Sequence, residues 1–251
     1  MLDPVTDSPE RMNMNPSSHP RILALDAAGA ACSAALLADT EIVARRWEQM
    51  ARGHAEALMP MATEVVGEAG FDALDLLAVT VGPGAYTGLR IAIAAARGLG
   101  LAVDVPVLGV ESFDLHRRMA RDAGVTGLLA VVLETKRSDF YVQLFGADDQ
   151  RLGDPLVETG PAVEANLSGV GSNLVLAGDA AARLLDGAPG LAGVADAVVP
   201  QHGDAAVAAM LAGERYGGAD LSTLAPPRPL YLRAPDTTPP SADKQRLRQS
   251  P

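Results

Sequence analysis

Between Thr80 and Ala102 the sequence reads TVGPGAYTGLRIAIAAARGLGLA. An apolar strand runs into a glycine-rich turn, and a helix leaves the turn. Leu89, Ile93, Ala96, Gly100 and Val103 form one stripe of that helix; Ala92, Ala95, Leu99 and Ala102 form another. A helix apolar nearly all round is buried on every side. One side covers a sheet, and the other needs a second helix or a second chain. The turn, Gly82-Pro83-Gly84-Ala85-Tyr86-Thr87-Gly88, has two readings. It is either a cradle of backbone N–H groups for an anion at a helix N-terminus, or a tight bend capped by Thr87. The stretch does not match G-x-x-x-x-G-K-[ST] and no lysine follows it, so the residues alone favour the bend.

The segments around this unit alternate. Ile22 to Ala28, Cys32 to Leu37 and Glu41 to Gln49 read as three short strands. HAEALMPMATEVVGEAG then has helical period, with Leu58, Met61, Val65 and Ala69 on one stripe, Pro60 near the first turn and Gly70 as the stop. Strand LDLLAVTVG, a helix from Thr87 to about Asp104, strand PVLGV and a helix from Ser112 to Asp122 complete a first half. After a break at Gly124 to Gly127 come a hairpin around Lys136 to Asp139, a strand at Leu174 to Ala177 and a helix from Ala180 to Leu185. A helix from Asp204 to Ala212 and an extended PLYLRA follow. This predicts one lobe over 21–123 and a second over 124–235. The Pro-, Ser- and Asp-rich ends, 1–20 and 236–251, read as disordered tails, with Met12 or Met14 as alternative starts.

With 251 residues, 48% of them apolar, the chain has enough material for a real core. A formal net charge of −11 makes unaided nucleic-acid binding unfavourable. The sole cysteine, Cys32, forms no internal disulfide, which points to a reducing cytoplasm. Arg90 and Arg97 interrupt the longest apolar run, so no membrane span is expected.

Three acids end predicted strands: Asp26 after ILAL, Glu134 after AVVL and Asp179 after VLAG. Together they suit a metal-bound nucleotide; singly each serves equally well as a turn or cap residue. The histidines, His19, His54, His116 and His202, form no HxxxH or HExxH pair, so no metal site is expected. Cys32 lies among alanines and reads as an inert core residue, and no G-x-S-x-G elbow is present.

ILALDAAGAACSAALL, RGHAEALMPMATEVV, VGPGAYTGLRIAIAAARGLGLA, PVLGVESFDLH and PLYLRAP occur in this order. Together they resemble the TsaB (YeaZ) family of tRNA threonylcarbamoyladenosine synthesis, over about Arg21 to Pro235. The segment GPGAYTGLRI is close to that family's G-P-G-S-F-T-G-x-R-x. The resemblance implies an α/β fold of two lobes, of the actin, sugar-kinase and Hsp70 (ASKHA) type, each with a mixed sheet flanked by helices. It implies a non-catalytic subunit that pairs with the transferase TsaD, is joined by the ATPase TsaE, dimerises when alone and meets tRNA only through the complex. The first two helices are then the partner interface: Leu58, Met59, Met61, Val65 and Val66 on one, and Leu89, Ile91, Ala92, Ile93, Ala95, Ala96 and Leu99 on the other. In the turn, Gly82, Pro83, Gly84, Thr87 and Gly88 aim the helix, and Arg90 reaches an acid or a carbonyl.

Departures from the enzymatic relatives point the same way. Where TsaD-like enzymes carry H-x-x-x-H, this chain has Ser112 and His116. Where sugar kinases carry D-x-G-T, it has Asp26-Ala27-Ala28-Gly29-Ala30; Ala27 departs even from the threonine common in TsaB relatives. The second-lobe glycine pair is reduced to Gly178-Asp179. No resident cofactor or metal is expected, and only a weak ATP or ADP contact within the complex stays open. The alternative is an ATP-dependent phosphotransferase of the same superfamily using Asp26, Glu134 and Asp179.

Overall fold

A computed structural model describes residues 20–171, 173–196, 201–216 and 224–233. The expected tails fall outside these residues except for Pro20, as does His19. The first half runs β1 (Arg21–Asp26), β2 (Ala31–Ala38), β3 (Glu41–Gln49), α1 (His54–Val66), β4 (Leu76–Gly82), α2 (Tyr86–Val103), β5 (Val107–Glu111) and α3 (Ser112–Asp122). The second runs β6 (Leu129–Glu134), β7 (Asp139–Phe145), β8 (Leu156–Thr159), α4 (Gly160–Leu167), β9 (Val175–Ala177), α5 (Ala181–Gly187), β10 (Ala195–Asp196) and α6 (Ala205–Tyr216).

One plan is used twice. The strand orders are β3-β2-β1-β4-β5 and β8-β7-β6-β9-β10. In each sheet the first three strands form an antiparallel meander, and the last two run parallel to the first. This duplicated mixed sheet with flanking helices is the two-lobed actin, sugar-kinase and Hsp70-like architecture.

The central strand shows why. Side chains of a strand alternate between faces. In β1, Leu23 and Leu25 meet α1 and α2 through Leu58, Ala62, Val65, Ala92, Ile93 and Ala96. Ile22 and Ala24 face the opposite way, against Ala205, Ala208, Ala209 and Ala212 of α6. A strand covered on both faces reads as a continuous apolar run, here RILALD. The edge strand β3 is half polar, with Glu41, Arg45, Arg46 and Glu48 exposed, which discourages pairing with another edge.

The third helix of each half reaches the other, α3 by bridging both sheets, with Leu115 and Met119 on the first. Phe113 and Ala120 of α3 pack with Leu129, Val131, Leu133 and Phe145 of the second sheet, while α6 covers the first sheet. The crossing is fastened by Arg117 and Arg121 of α3 on Asp149 beyond β7. Residues 224–233 fasten it again. The Leu230 N–H donates to the Val81 carbonyl at 2.8 Å, Leu232 packs on the second-sheet cluster, and Arg233 pairs with Asp139.

Several expectations move. The sequence reading lacked β8, α4 and β10. Pro60 sits in the interior of α1 rather than near its first turn, because the helix starts at His54. That helix stops at Gly67, whose φ of 62° suits glycine, and not at Gly70. The helix α2 begins at Tyr86, with Ala85 as N-cap and no side-chain cap, so Thr87 lies inside the helix and caps nothing.

Candidate functional site

The three strand-end acids converge on the cleft between the sheets, and each is already engaged. Asp26, 2% exposed, accepts the Ala28 N–H at 3.0 Å. Burial pushes its carboxyl up from the usual carboxylate range; the Ala28 hydrogen bond, the nearby Thr80 hydroxyl and His116 pull it partly back. Gly203 lies against its Oδ2 so closely that a side chain at that glycine would overlap the carboxylate.

Across the cleft, Asp179 Oδ1 accepts the Glu134 N–H at 2.8 Å. Glu134 takes a two-pronged pair from Arg183, Nε to Oε2 at 3.0 Å and Nη2 to Oε1 at 2.9 Å. The guanidinium of Arg183 also stacks on Phe140, 3.9 Å from the ring centre. The free space left among Asp26, Thr80, Ser112, His116, Glu134 and Asp179 is about 20 Å³. That holds about one water.

The glycine turn closes the same cleft. The Ala85 N–H donates to the Ala28 carbonyl at 2.7 Å. Side chains at Gly84 and Gly88 would collide with the carbonyl oxygens of Ala28 and Ala27. The Gly82–Pro83 peptide is cis, and Gly82 has φ of 110°. The turn therefore grips the chain's own first loop.

Ser112 and His116 line the cleft beside Asp26 and form no nucleophile–base pair. His116 Nδ1 faces the Ser112 backbone carbonyl at 2.8 Å, and Nε2 faces the Gln201 carbonyl at 3.3 Å. The Ser112 Oγ has no hydrogen-bond partner, so no base activates it. His202 meets Gln49 at 3.2 Å. His54, at the start of α1, lines a groove of about 400 Å³ with Gly29, Arg52, Thr87, Gly88 and Lys136. Burial pushes the Cys32 thiol up to about 11, leaving little thiolate at neutral pH. Among the described residues no three His, Cys, Asp or Glu side chains form a cluster able to hold a metal. No helix among them is long and apolar enough to cross a membrane.

The twelve interface candidates divide in two. Leu58, Val65, Val66, Leu89, Ala92, Ile93 and Ala96 are buried in the chain's own core. They face the first sheet and are unavailable to a partner, which corrects the expectation for those seven. Met59, Met61, Ile91, Ala95 and Leu99 are half-buried at the margins of α1 and α2. The outward arc of α2 is made of residues outside the expected interface, Tyr86, Ala94, Gly98 and Leu101, together with Arg90 and Arg97. Leu101 is 87% exposed and Tyr86 52%. The signal was present: at 100° per residue, these positions share one arc opposite Leu89 and Ala96. Arg90 finds a tyrosine and not an acid or carbonyl: its Nε donates to the Tyr231 hydroxyl at 2.8 Å.

A family model described as TsaD, tRNA N6-adenosine threonylcarbamoyltransferase, matches residues 46–175. The tRNA threonylcarbamoyladenosine biosynthesis protein TsaB of Escherichia coli (strain K12) is 37% identical over 132 residues, 51% of this chain and 56% of that protein. The match thus spans little more than half the length of that relative. An uncharacterized protein of Mycobacterium tuberculosis (strain ATCC 25618 / H37Rv) is 32% identical over 229 residues, 87% of this chain and 94% of its own length. The solved structure of YeaZ from Pseudomonas aeruginosa superposes with a TM-score of 0.69 at 28% identity, covering 85% of this chain and all of that one. On the strength of these matches, the chain belongs to the TsaB (YeaZ) family.

Proposed function

We propose that this chain is a non-catalytic subunit for threonylcarbamoyladenosine synthesis in tRNA. It pairs with TsaD, which transfers the threonylcarbamoyl group to the adenosine beside the anticodon of ANN-decoding tRNAs, and TsaE joins the pair. The observation that carries the reading is that the acids of the cleft are taken up by the chain itself: Asp26 is covered by Gly203, and Glu134 and Asp179 are bound to their own neighbours. Phosphoryl transfer needs donors and metal ligands aimed into open space. The exposed arc of α2 supports pairing, because Leu101 and Tyr86 are the kind of apolar surface a partner covers.

Alone, the chain forms a homodimer through the same arc. The net charge of −11 accords with tRNA being held by the partners. The lobes are 21–123 and 124–235, with α6 returning from the second to the first. No cofactor is resident, any weak ATP or ADP contact is confined to the complex, and the setting is the cytoplasm. The test is threonylcarbamoylation of tRNA by TsaD and TsaE with and without this chain, beside ATP hydrolysis by the chain alone. Activity that depends on the chain, with no hydrolysis by it, supports the reading. Phosphotransfer by the isolated chain would move the assignment to the phosphotransferase alternative.

A further inference from the structure

One exposed cluster is more ordered than a surface requires. The rings of Tyr86 and Tyr231 stack at 5.4 Å between centres, 26° from parallel. The Arg90 guanidinium lies 4.0 Å over Tyr86, and its Nε is tied to the Tyr231 hydroxyl. Both rings stay wet, Tyr231 being 45% exposed. Tyr231 is not on α2 at all. It arrives on the extended segment pinned beside β4 by the Leu230–Val81 hydrogen bond.

Tyrosine and arginine dominate interface energetics because they offer large contact area. A group already held in its binding conformation loses little entropy on docking. Here the stack and the hydroxyl fix the plane of the guanidinium and occupy Nε. The two terminal nitrogens remain as a fork, the geometry that suits a carboxylate. Charge points to the same ligand. Arg90 and Arg97 are the charged residues of α2, with no acid in that helix, although the chain as a whole is strongly acidic.

We infer that Tyr86, Arg90 and Tyr231 form a carboxylate-reading clamp, which anchors an acidic side chain of the partner protein at the α2 docking surface. The inference rests on the pairing proposed above and adds its anchor and its polarity. It makes the last extended segment part of the interface.

The experiment is calorimetric titration of the full chain with TsaD at low and high salt, with melting temperatures alongside. Ala94→Glu tests the surface; Arg90→Gln, Arg90→Lys and Tyr231→Phe test the clamp. Arg90→Gln is expected to weaken binding by about tenfold or more and to flatten its salt dependence. Arg90→Lys is expected to weaken it as well, since an ammonium has no planar fork. Tyr231→Phe keeps the ring and loses the tether, for a few-fold loss. Melting temperatures should stay unchanged. If Ala94→Glu weakens binding while Arg90→Gln or Arg90→Lys binds like the unsubstituted chain, the clamp is wrong and the pairing stands. If the unsubstituted chain does not bind TsaD, both fall together.

Discussion

Gly88, in the first turn of α2, lies against Ala27 so closely that a methyl group there would overlap the Ala27 carbonyl oxygen. Backbone oxygen cannot swing aside as a side-chain end can, so the loop and the helix would have to separate. Gly88→Ala should cost about 1–3 kcal/mol in urea unfolding. Gly98, on the same helix, has nothing within 4 Å of an added methyl. Gly98→Ala should raise stability by about 1 kcal/mol through helix propensity. Equal effects at the two glycines would refute the close packing.

Two residues of α2, Ile93 and Leu101, should separate folding from pairing. Ile93 is 4% exposed and packs on the first sheet, so Ile93→Glu buries an unpaired charge and should cost about 3–5 kcal/mol. Leu101 projects into water, so Leu101→Glu should leave the melting temperature within about 2 °C of the original, a surface-sized effect. It should weaken TsaD binding. A lowered melting temperature for Leu101→Glu would mean that the face belongs to the fold.

Asp26 should give stability an acid-side optimum. Its carboxyl is raised by burial, so the folded state holds that proton more tightly than the unfolded one. The resulting stabilisation is full below the ordinary value of 3.8 and is lost as pH rises through the folded value. Asp26→Asn keeps an acceptor for the Ala28 N–H and removes the charge. It should be more stable than the native chain at neutral pH, with the advantage shrinking on acidification. Melting curves across the range check this; an advantage that grows toward low pH would reverse the sign and sink it.

Arg121 ties the halves together through several acceptors at once. Its guanidinium donates to Asp149 at 2.7 Å and to the carbonyls of Val125, Gly127 and Gly146 at 3.1, 3.0 and 2.6 Å. Arg121→Ala removes the donor to the three carbonyls and leaves Asp149 to Arg117 alone, and should cost about 2–4 kcal/mol in urea unfolding. Arg121→Lys should recover only part of it, since one ammonium cannot reach all four partners. Full recovery with lysine would show that charge alone matters there.

The sequence carried the first half well because its periods are clean. RILALD and LLAVTVG are covered on both faces, and α2 is long. The second half blurred. β10 has two residues and β8 four, too few for a period to show. The helix α4 opens on Gly160-Pro161 with little amphipathic contrast. The acids were found, but their engagement was not, since Arg183 lies 49 residues from Glu134 in the chain. The interface residues were mis-sorted because Ile93 and Ala94 are one step apart on the wheel. Arg90 and Arg97 mark the arc that faces water, and the sheet takes the opposite one. Arg90 met an aromatic 141 residues away, a partner that no local pattern announces.

The exchange of third helices sets an order on how the molecule can be made. When β1 through β5 have left the ribosome, Ile22, Ala24, Ala35 and Leu37 still lack the alanine-rich helix that covers them. That helix is synthesised about a hundred residues later. A nascent first half therefore waits with one greasy side bare, a target for chaperones. For the same reason, splitting this protein between its two sheets to study either piece alone should yield aggregates rather than lobes.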